Sequence, residues 1–261
     1  MSDAPILVNR ESPAMAVVTI NNPARRNAVS LEMWRGLRQT FIELGGDADI
    51  RTIVLTGAAG HFCAGADISE FAEVRSTAED GARYEREVDE TTLAIMDAPK
   101  ATIAAIEGYC MGGGCALAMA CDFRLAAPSA NFGIPAARLG TLYNILDLGN
   151  LHALVGLANA KRIMYTGEPF DAGEAYRMGF VDQVAQGALE DAVHAFTALL
   201  DHKAPLTIAG SKLTLNALSR GEIEAKRPEI ERATDIAMES ADYREGVRAF
   251  MEKRKPRFKG V

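Results

Sequence analysis

The chain has 261 residues, 48% apolar and 24% charged, a size and balance that bury a full core without disulfides or metals. Its net charge of −7 argues against general nucleic-acid binding, and no run of about 18 uncharged apolar residues marks a membrane span. The opening MSDAPILVNR lacks a basic segment followed by an apolar one, so no secretory signal is expected and the expected location is cytoplasmic.

ILVNR (6–10), AVVTI (16–20) and TIVLTG (52–57) read as strands, being short and rich in β-branched residues. Between the last two, Leu31, Trp34, Leu37, Phe41 and Leu44 recur at helical spacing, with Ser30 placed to cap the start and Gly45-Gly46 to end it. That stripe reads as core, Trp34 included. A small-residue loop follows, GAAGHFCAGADISEF (57–71), then a charged helical stretch to Asp97. ATIAAIEG (101–108) reads as a buried strand feeding three glycines, Gly112 to Gly114. A helix is expected over 113–121, a strand over DFRLAA (122–127) and a short extended NFG (131–133). This alternation predicts a largely parallel, helix-covered sheet. From about residue 141 the patterns are mostly helical, a helix ends at Gly179, and 205–256 read as helices. The four cysteines (Cys63, Cys110, Cys115, Cys121) form no CxxC pair and no metal-ligand spacing, so they read as reduced core residues.

The glycines carry the chemistry. Between a buried strand and a helix they let a ligand touch the backbone and leave the first helical N–H groups free to donate. Such donors suit an anion or a developing oxyanion. No Gly-Lys-Ser/Thr follows and the order is not GxGxxG, so this is no nucleotide loop. A second small-residue turn, Ala64-Gly65-Ala66-Asp67, also follows a strand and precedes a helix. Two donors from two strand ends can pinch one carbonyl oxygen.

Six segments in order resemble the crotonase superfamily, the enoyl-CoA hydratase/isomerase family. They are NNPARRNAVSLEMW (21–34), HFCAGADISEF (61–71), GYCMGGGCALAMACDFRLAA (108–127), NFGIPAARLG (131–140), YTGEPFDAGEAYRMGFVDQV (165–184) and AFMEKRKPRF (249–258). The resemblance implies a spiral of ββα units over residues 1–200 and a helical C-terminal trimerisation region over 201–261. It implies an oxyanion hole from the N–H groups of Ala66 and Gly113, holding a thioester carbonyl. Coenzyme A would run along Arg26 to Ala28, Ala64 and Ala66, with Phe250 and Lys253 reaching the coenzyme A of a neighbouring subunit. A homotrimer or hexamer is implied, with no metal and no cofactor beyond the coenzyme A of the substrate.

The chain departs from that family at its acid/base positions. Typical hydratases there use two glutamates to position and activate water. One lies two residues after the triple glycine, where this chain has Ala116; the other follows the proline of the next segment, where it has Ala136. In RLGTLYNILDLG (138–149), Asn144 matches a position where dehalogenase and dienoyl-CoA isomerase types carry an aspartate. Asn144 can hold water but not deprotonate it. Tyr143 is a candidate proton donor or an apolar-pocket wall. Asp147 is a candidate acid/base; if Asn144 starts a helix, Asp147 sits at its third position, where capping would lower its pKa. Asp67 reads as a helix cap, His61 as a strand-end residue, and Glu107 as a group that burial could perturb.

Three functions compete on this reading. The first is an acyl-CoA enzyme of lyase or isomerase type, slow at hydration. The second is a non-catalytic acyl-CoA binder on the same scaffold. The third is a binder of nucleic acid or an anionic surface, resting only on the tail EKRKPRFKGV with five basic residues against one acid.

Overall fold

The computed structural model describes residues 4–261, so Met1 to Asp3, which head the segment read for a signal, lie outside the described residues. The strands are β1 (Ile6–Ser12), β2 (Met15–Ile20), β3 (Thr52–Gly57), β4 (Ala101–Ile106), β5 (Tyr109–Met111), β6 (Phe123–Ala126), β7 (Asn131–Gly133), β8 (Phe170–Asp171) and β9 (Gln183–Val184). The helices are α1 (Leu31–Gly46), α2 (Phe71–Val74), α3 (Ala78–Met96), α4 (Gly113–Ala120), α5 (Ala136–Leu139), α6 (Ile145–Thr166), α7 (Ala172–Met178), α8 (Leu189–Leu200), α9 (Pro205–Arg220), α10 (Ile223–Glu239) and α11 (Ala241–Met251).

The main sheet has the order β1-β2-β3-β4-β6-β9, antiparallel between β1 and β2 and parallel elsewhere. A small second sheet, β5-β7-β8, stands beside it. The expected strands and the expected parallel α/β character are present. β4 is buried at every position, as a parallel strand covered on both faces must be. Ser30 caps α1 by accepting from the Met33 N–H at 3.2 Å; of the predicted stripe Trp34, Leu37, Phe41 and Leu44 are buried, Leu31 is half-buried against the core, and Met33 joins them.

One expectation needs correction. The run 101–108 is not one strand entering the glycines. β4 ends at Ile106, and the chain turns at Gly108 (φ +56°) into β5 of the second sheet. A methyl group on Gly108 would fall 2.3 Å from the Gly60 carbonyl oxygen, so only glycine lets these backbones cross. Glu107, at that corner, is exposed rather than buried, because the turn carries it off the sheet.

α4 is buried from Gly114 to Ala120. A helix enclosed on all sides must be apolar all round, and its Cys-Ala-Leu-Ala-Met-Ala composition meets that demand. The C-terminal helices are tied to the sheet by Lys212 of α9. Its ammonium, 7% exposed, pairs with Asp122 at 2.9 Å and donates to the Lys100 carbonyl at 3.1 Å and Thr102 Oγ1 at 3.3 Å. The basic tail folds back on its own acids. Arg254 pairs with Glu245 at 2.6 Å, and the Lys259 and Gly260 N–H groups donate to Asp242 at 2.7 Å each. No helix among the described residues is long and apolar enough to cross a membrane.

Candidate active site

The site lies where the β3 loop, the β5–α4 turn and the start of α6 meet. The first loop is positioned by residues 26–29. Ala64 N–H donates to the Arg26 carbonyl at 2.9 Å, Val29 N–H to Gly65 at 2.8 Å, and Asp67 N–H to Val29 at 2.9 Å. Asn27, fully buried, locks the arrangement by donating to the Ala58 and His61 carbonyls and accepting from the Asn22 N–H. This ladder uses the N–H groups of Ala64 and Asp67, the Gly65 N–H donates to Cys63 Sγ at 3.3 Å, and Ala66's own is left without an acceptor among the described residues. Asp67 caps the following turn by accepting from the Ser69 N–H at 3.1 Å, as expected. Burial works against its charge, but the Ser69 hydrogen bonds and the Arg25 ion pair prevail and hold its carboxyl below the usual range.

The three glycines serve three separate needs. Gly112 (φ +48°, ψ −115°) makes the strand-to-helix corner. A methyl group on Gly113 would lie 3.3 Å from the Ala66 nitrogen and 3.1 Å from the Trp34 ring, so the two loops nearly touch there. A methyl group on Gly114 would lie 2.4 Å from the Cys63 carbonyl oxygen, a plain clash. Gly113 opens α4, and its N–H likewise has no acceptor among the described residues. Two unspent amide donors therefore stand side by side at the mouth of one cavity, an arrangement able to hold an oxyanion.

That cavity encloses about 180 Å³ and is lined by Ala64, Gly65, Ala66, Gly113, Ala116, Ala136, Tyr143, Asn144 and Asp147, among others. Ala116 and Ala136 are buried in its wall and contribute only methyl groups. The opposite wall comes from α1, α2 and α3. Trp34 Nε1 donates to Tyr84 Oη at 3.0 Å, Phe71 meets Tyr84 edge-on at 5.7 Å, and the Arg75 guanidinium lies over both of those rings at 4.7 and 4.9 Å while pairing with Glu85. Trp34 is thus core packing and cavity wall at once. The α2–α3 wall escaped the sequence reading, which saw only a charged helical stretch. Phe71, Tyr84 and Val88 were the available signal.

Asn144 does start α6. Its Oδ1 accepts from the Asp147 N–H at 2.7 Å and its Nδ2 donates to Asp147 Oδ2 at 3.1 Å. Asp147 thus occupies the third helical position, as expected, but the expected acid-strengthening does not follow. The residue is 3% exposed and its Oδ1 has no hydrogen-bond partner. Burial first, and the charge of Asp89 on α3 second, push its pKa up to about 7. Glu85 and Asp89 are also raised by burial. Tyr143 donates its hydroxyl proton to the Gly112 carbonyl at 2.5 Å, and burial raises its pKa well above the ordinary phenol value.

The coenzyme A positions are less gathered. Arg26 (φ +51°) lies over the Tyr109 ring at 4.7 Å, and Arg26 to Ala28 adjoin Ala64 through the backbone ladder. Phe250, 82% exposed, and Lys253 stand at the end of α11 and do not line the cavity of their own chain. The cysteines are free and buried, as read, and burial raises Cys63 and Cys121 to about 12. Those two are inert thiols near pH 7.

A mixed α/β spiral with glycine-rich strand–helix corners opening on an apolar cavity defines a crotonase-type fold. A family profile described as enoyl-CoA hydratase/isomerase matches residues 10–261. The chain belongs to that family. It is 32% identical over 256 residues to a crotonyl-CoA hydratase of Syntrophomonas wolfei, covering 97% of each chain. It is 31% identical over 243 residues to a short-chain-enoyl-CoA hydratase of Clostridium acetobutylicum, covering 92% of each. Among solved structures, an enoyl-CoA hydratase from Bacillus anthracis superposes with a TM-score of 0.90 at 29% identity, covering 99% of this chain and all of that one.

Proposed function

We propose that the chain is an acyl-CoA enzyme that shifts a double bond by proton transfer and is slow at hydration. The thioester oxygen accepts from the N–H groups of Ala66 and Gly113, and Asp147 moves the proton. The observation that carries this reading is the Asp147 carboxylate, buried in the cavity wall with one oxygen unpartnered and a pKa near neutrality. A carboxyl group of that pKa is divided between its base and acid forms near pH 7, as general catalysis requires.

The two alanines favour this reaction over hydration. Adding water needs a group to deprotonate the water and another to supply the α-proton. Moving a double bond needs only one group, because the proton removed is the proton returned. Asp147 takes the proton from C2 of a 3-enoyl-CoA. The electron pair flows into the dienolate, whose charge rests on the thioester oxygen between the two amides. The protonated Asp147 then delivers the proton to C4, leaving the double bond between C2 and C3. Each amide donor contributes on the order of 10²–10³ in rate and the proton shuttle roughly 10²–10⁴. The cavity, below the roughly 300–1,000 Å³ of drug-sized ligand sites, takes the acyl end and leaves coenzyme A outside.

Coenzyme A follows the Arg26–Ala28 segment and Ala64, and the chain self-associates so that Phe250 and Lys253 reach a neighbour's ligand. The test is a panel of 2-enoyl- and 3-enoyl-CoA thioesters with the purified protein. Conversion of 3-enoyl to 2-enoyl that is lost in Asp147→Asn supports the reading. Tight binding without turnover on every thioester would instead make the chain a non-catalytic acyl-CoA binder, as the absent glutamates also allow.

A further inference from the structure

We propose that Tyr143 is a positioning residue for the oxyanion site: its phenol anchors and polarises the Gly112–Gly113 peptide, so that the Gly113 N–H faces the substrate oxygen. This deepens the reading above and rests on it. The carbonyl that Tyr143 contacts and the N–H assigned to the oxyanion belong to one peptide unit. In a trans peptide these two groups point in opposite directions within a plane. Fixing the carbonyl therefore fixes the direction of the N–H.

The local backbone gives that anchor a task. Gly112 takes a conformation (φ +48°, ψ −115°) outside both helix and strand, so only the first, long hydrogen bond of α4 sets the tilt of the following peptide from regular structure. Two hydrogen bonds fall on its carbonyl, and a third holds the peptide before it. The Gly112 N–H donates to Gly133 at 2.8 Å, the Ala116 N–H reaches the Gly112 carbonyl at 3.2 Å, and Tyr143 Oη reaches the same carbonyl at 2.5 Å. The Tyr143 bond is the shorter of the two on that oxygen. Donation to an amide oxygen also strengthens the N–H of the same amide as a donor, by about 10–30% per bond. The phenol stays a donor across ordinary pH. Burial first, and the nearby Asp147 carboxylate, disfavour its ionisation. Because Tyr143 precedes the Asn144 cap of α6, one short segment aligns the amide donor and carries the proton shuttle Asp147.

The test uses the full chain and a saturated acyl-CoA carrying ¹³C at the thioester carbonyl, read by isotope-edited infrared spectroscopy. Bound to wild type, the carbonyl band moves to lower frequency than in water. In Tyr143→Phe the shift shrinks by a third or more. Affinity for the enolate form of a 3-oxoacyl-CoA falls by about 10-fold, a fraction of the full loss of one donor, while affinity for the saturated thioester changes less than twofold. A folded Tyr143→Phe that polarises the carbonyl as wild type does overturns the role of Tyr143 alone. No carbonyl shift in wild type overturns the oxyanion reading itself, and this proposal with it. As a second variant, 3-fluorotyrosine at 143 keeps the ring and makes a stronger donor; it enlarges the shift, and an unchanged or smaller shift counts against the proposal.

Discussion

Replacing Asp147 with asparagine should stabilise the protein at neutral pH while removing its catalytic proton transfer. The unfolded carboxyl ionises with a pKa near 3.8 and the folded one near 7. Because the folded value is raised, ionisation opposes folding. The penalty is absent below pH 3.8, grows between 3.8 and 7, and is complete above 7. The separation between those two values, at about 1.36 kcal/mol per unit, bounds the penalty at about 4 kcal/mol. Asparagine keeps the shape, and its amide oxygen can still accept from Asn144 Nδ2. Urea unfolding of both proteins, at one protein concentration and at several pH values from 4 to 8, measures the difference. The gain from Asp147→Asn should be near zero at pH 4 and reach a few kcal/mol at pH 8. A difference that does not vary with pH would mean that Asp147 titrates as an ordinary carboxyl, and the case for it as a neutral-pH acid/base would fall.

Asp89→Asn removes the second cause of that raised pKa, so the acid limb of the pH–rate profile should move to lower pH; an unmoved limb would assign the shift to burial alone. Hydration of crotonyl-CoA should be slower than by a two-glutamate enzyme by roughly 10⁴ or more, and kcat/KM near the roughly 10⁸ M⁻¹s⁻¹ diffusional range would show that another group activates water. Lys212→Met removes the ion-pair partner of the half-buried Asp122, which keeps its bonds from Thr102, and should cost about 1.5–3 kcal/mol in chemical denaturation; a loss under 1 kcal/mol would show that the pair does not fasten α9 to the sheet.

The glycine corner, the second small-residue loop and most strands were legible because each is a local pattern. Strands show as β-branched runs, and close backbone approach shows as glycine. The β4–β5 break was not legible, because Glu107-Gly108 is the one interruption in an otherwise apolar run and the crossing at Gly108 is set by Gly60 and His61, distant in sequence. Asp147 shows the same limit in the site. Its helical position followed from Asn144, and so did the expectation of a lowered pKa. The raised value depends on how deeply α6 packs and on Asp89, 58 residues earlier in the chain, which no local pattern reports. Tyr143 was legible as a cavity residue, but its bond to Gly112 required the fold.

The most direct measurement is proton exchange at the α-carbon. A 3-enoyl-CoA is incubated with the protein in D₂O near pH 8, and deuterium at C2 and C4 is followed by NMR and mass spectrometry. The account predicts that wild type moves the double bond to C2 and exchanges protons at these carbons, and that Asp147→Asn does both at least about 10²-fold more slowly. Equal exchange by the two proteins would contradict the account by placing the base elsewhere, and no exchange by wild type would leave a scaffold that binds acyl-CoA without chemistry.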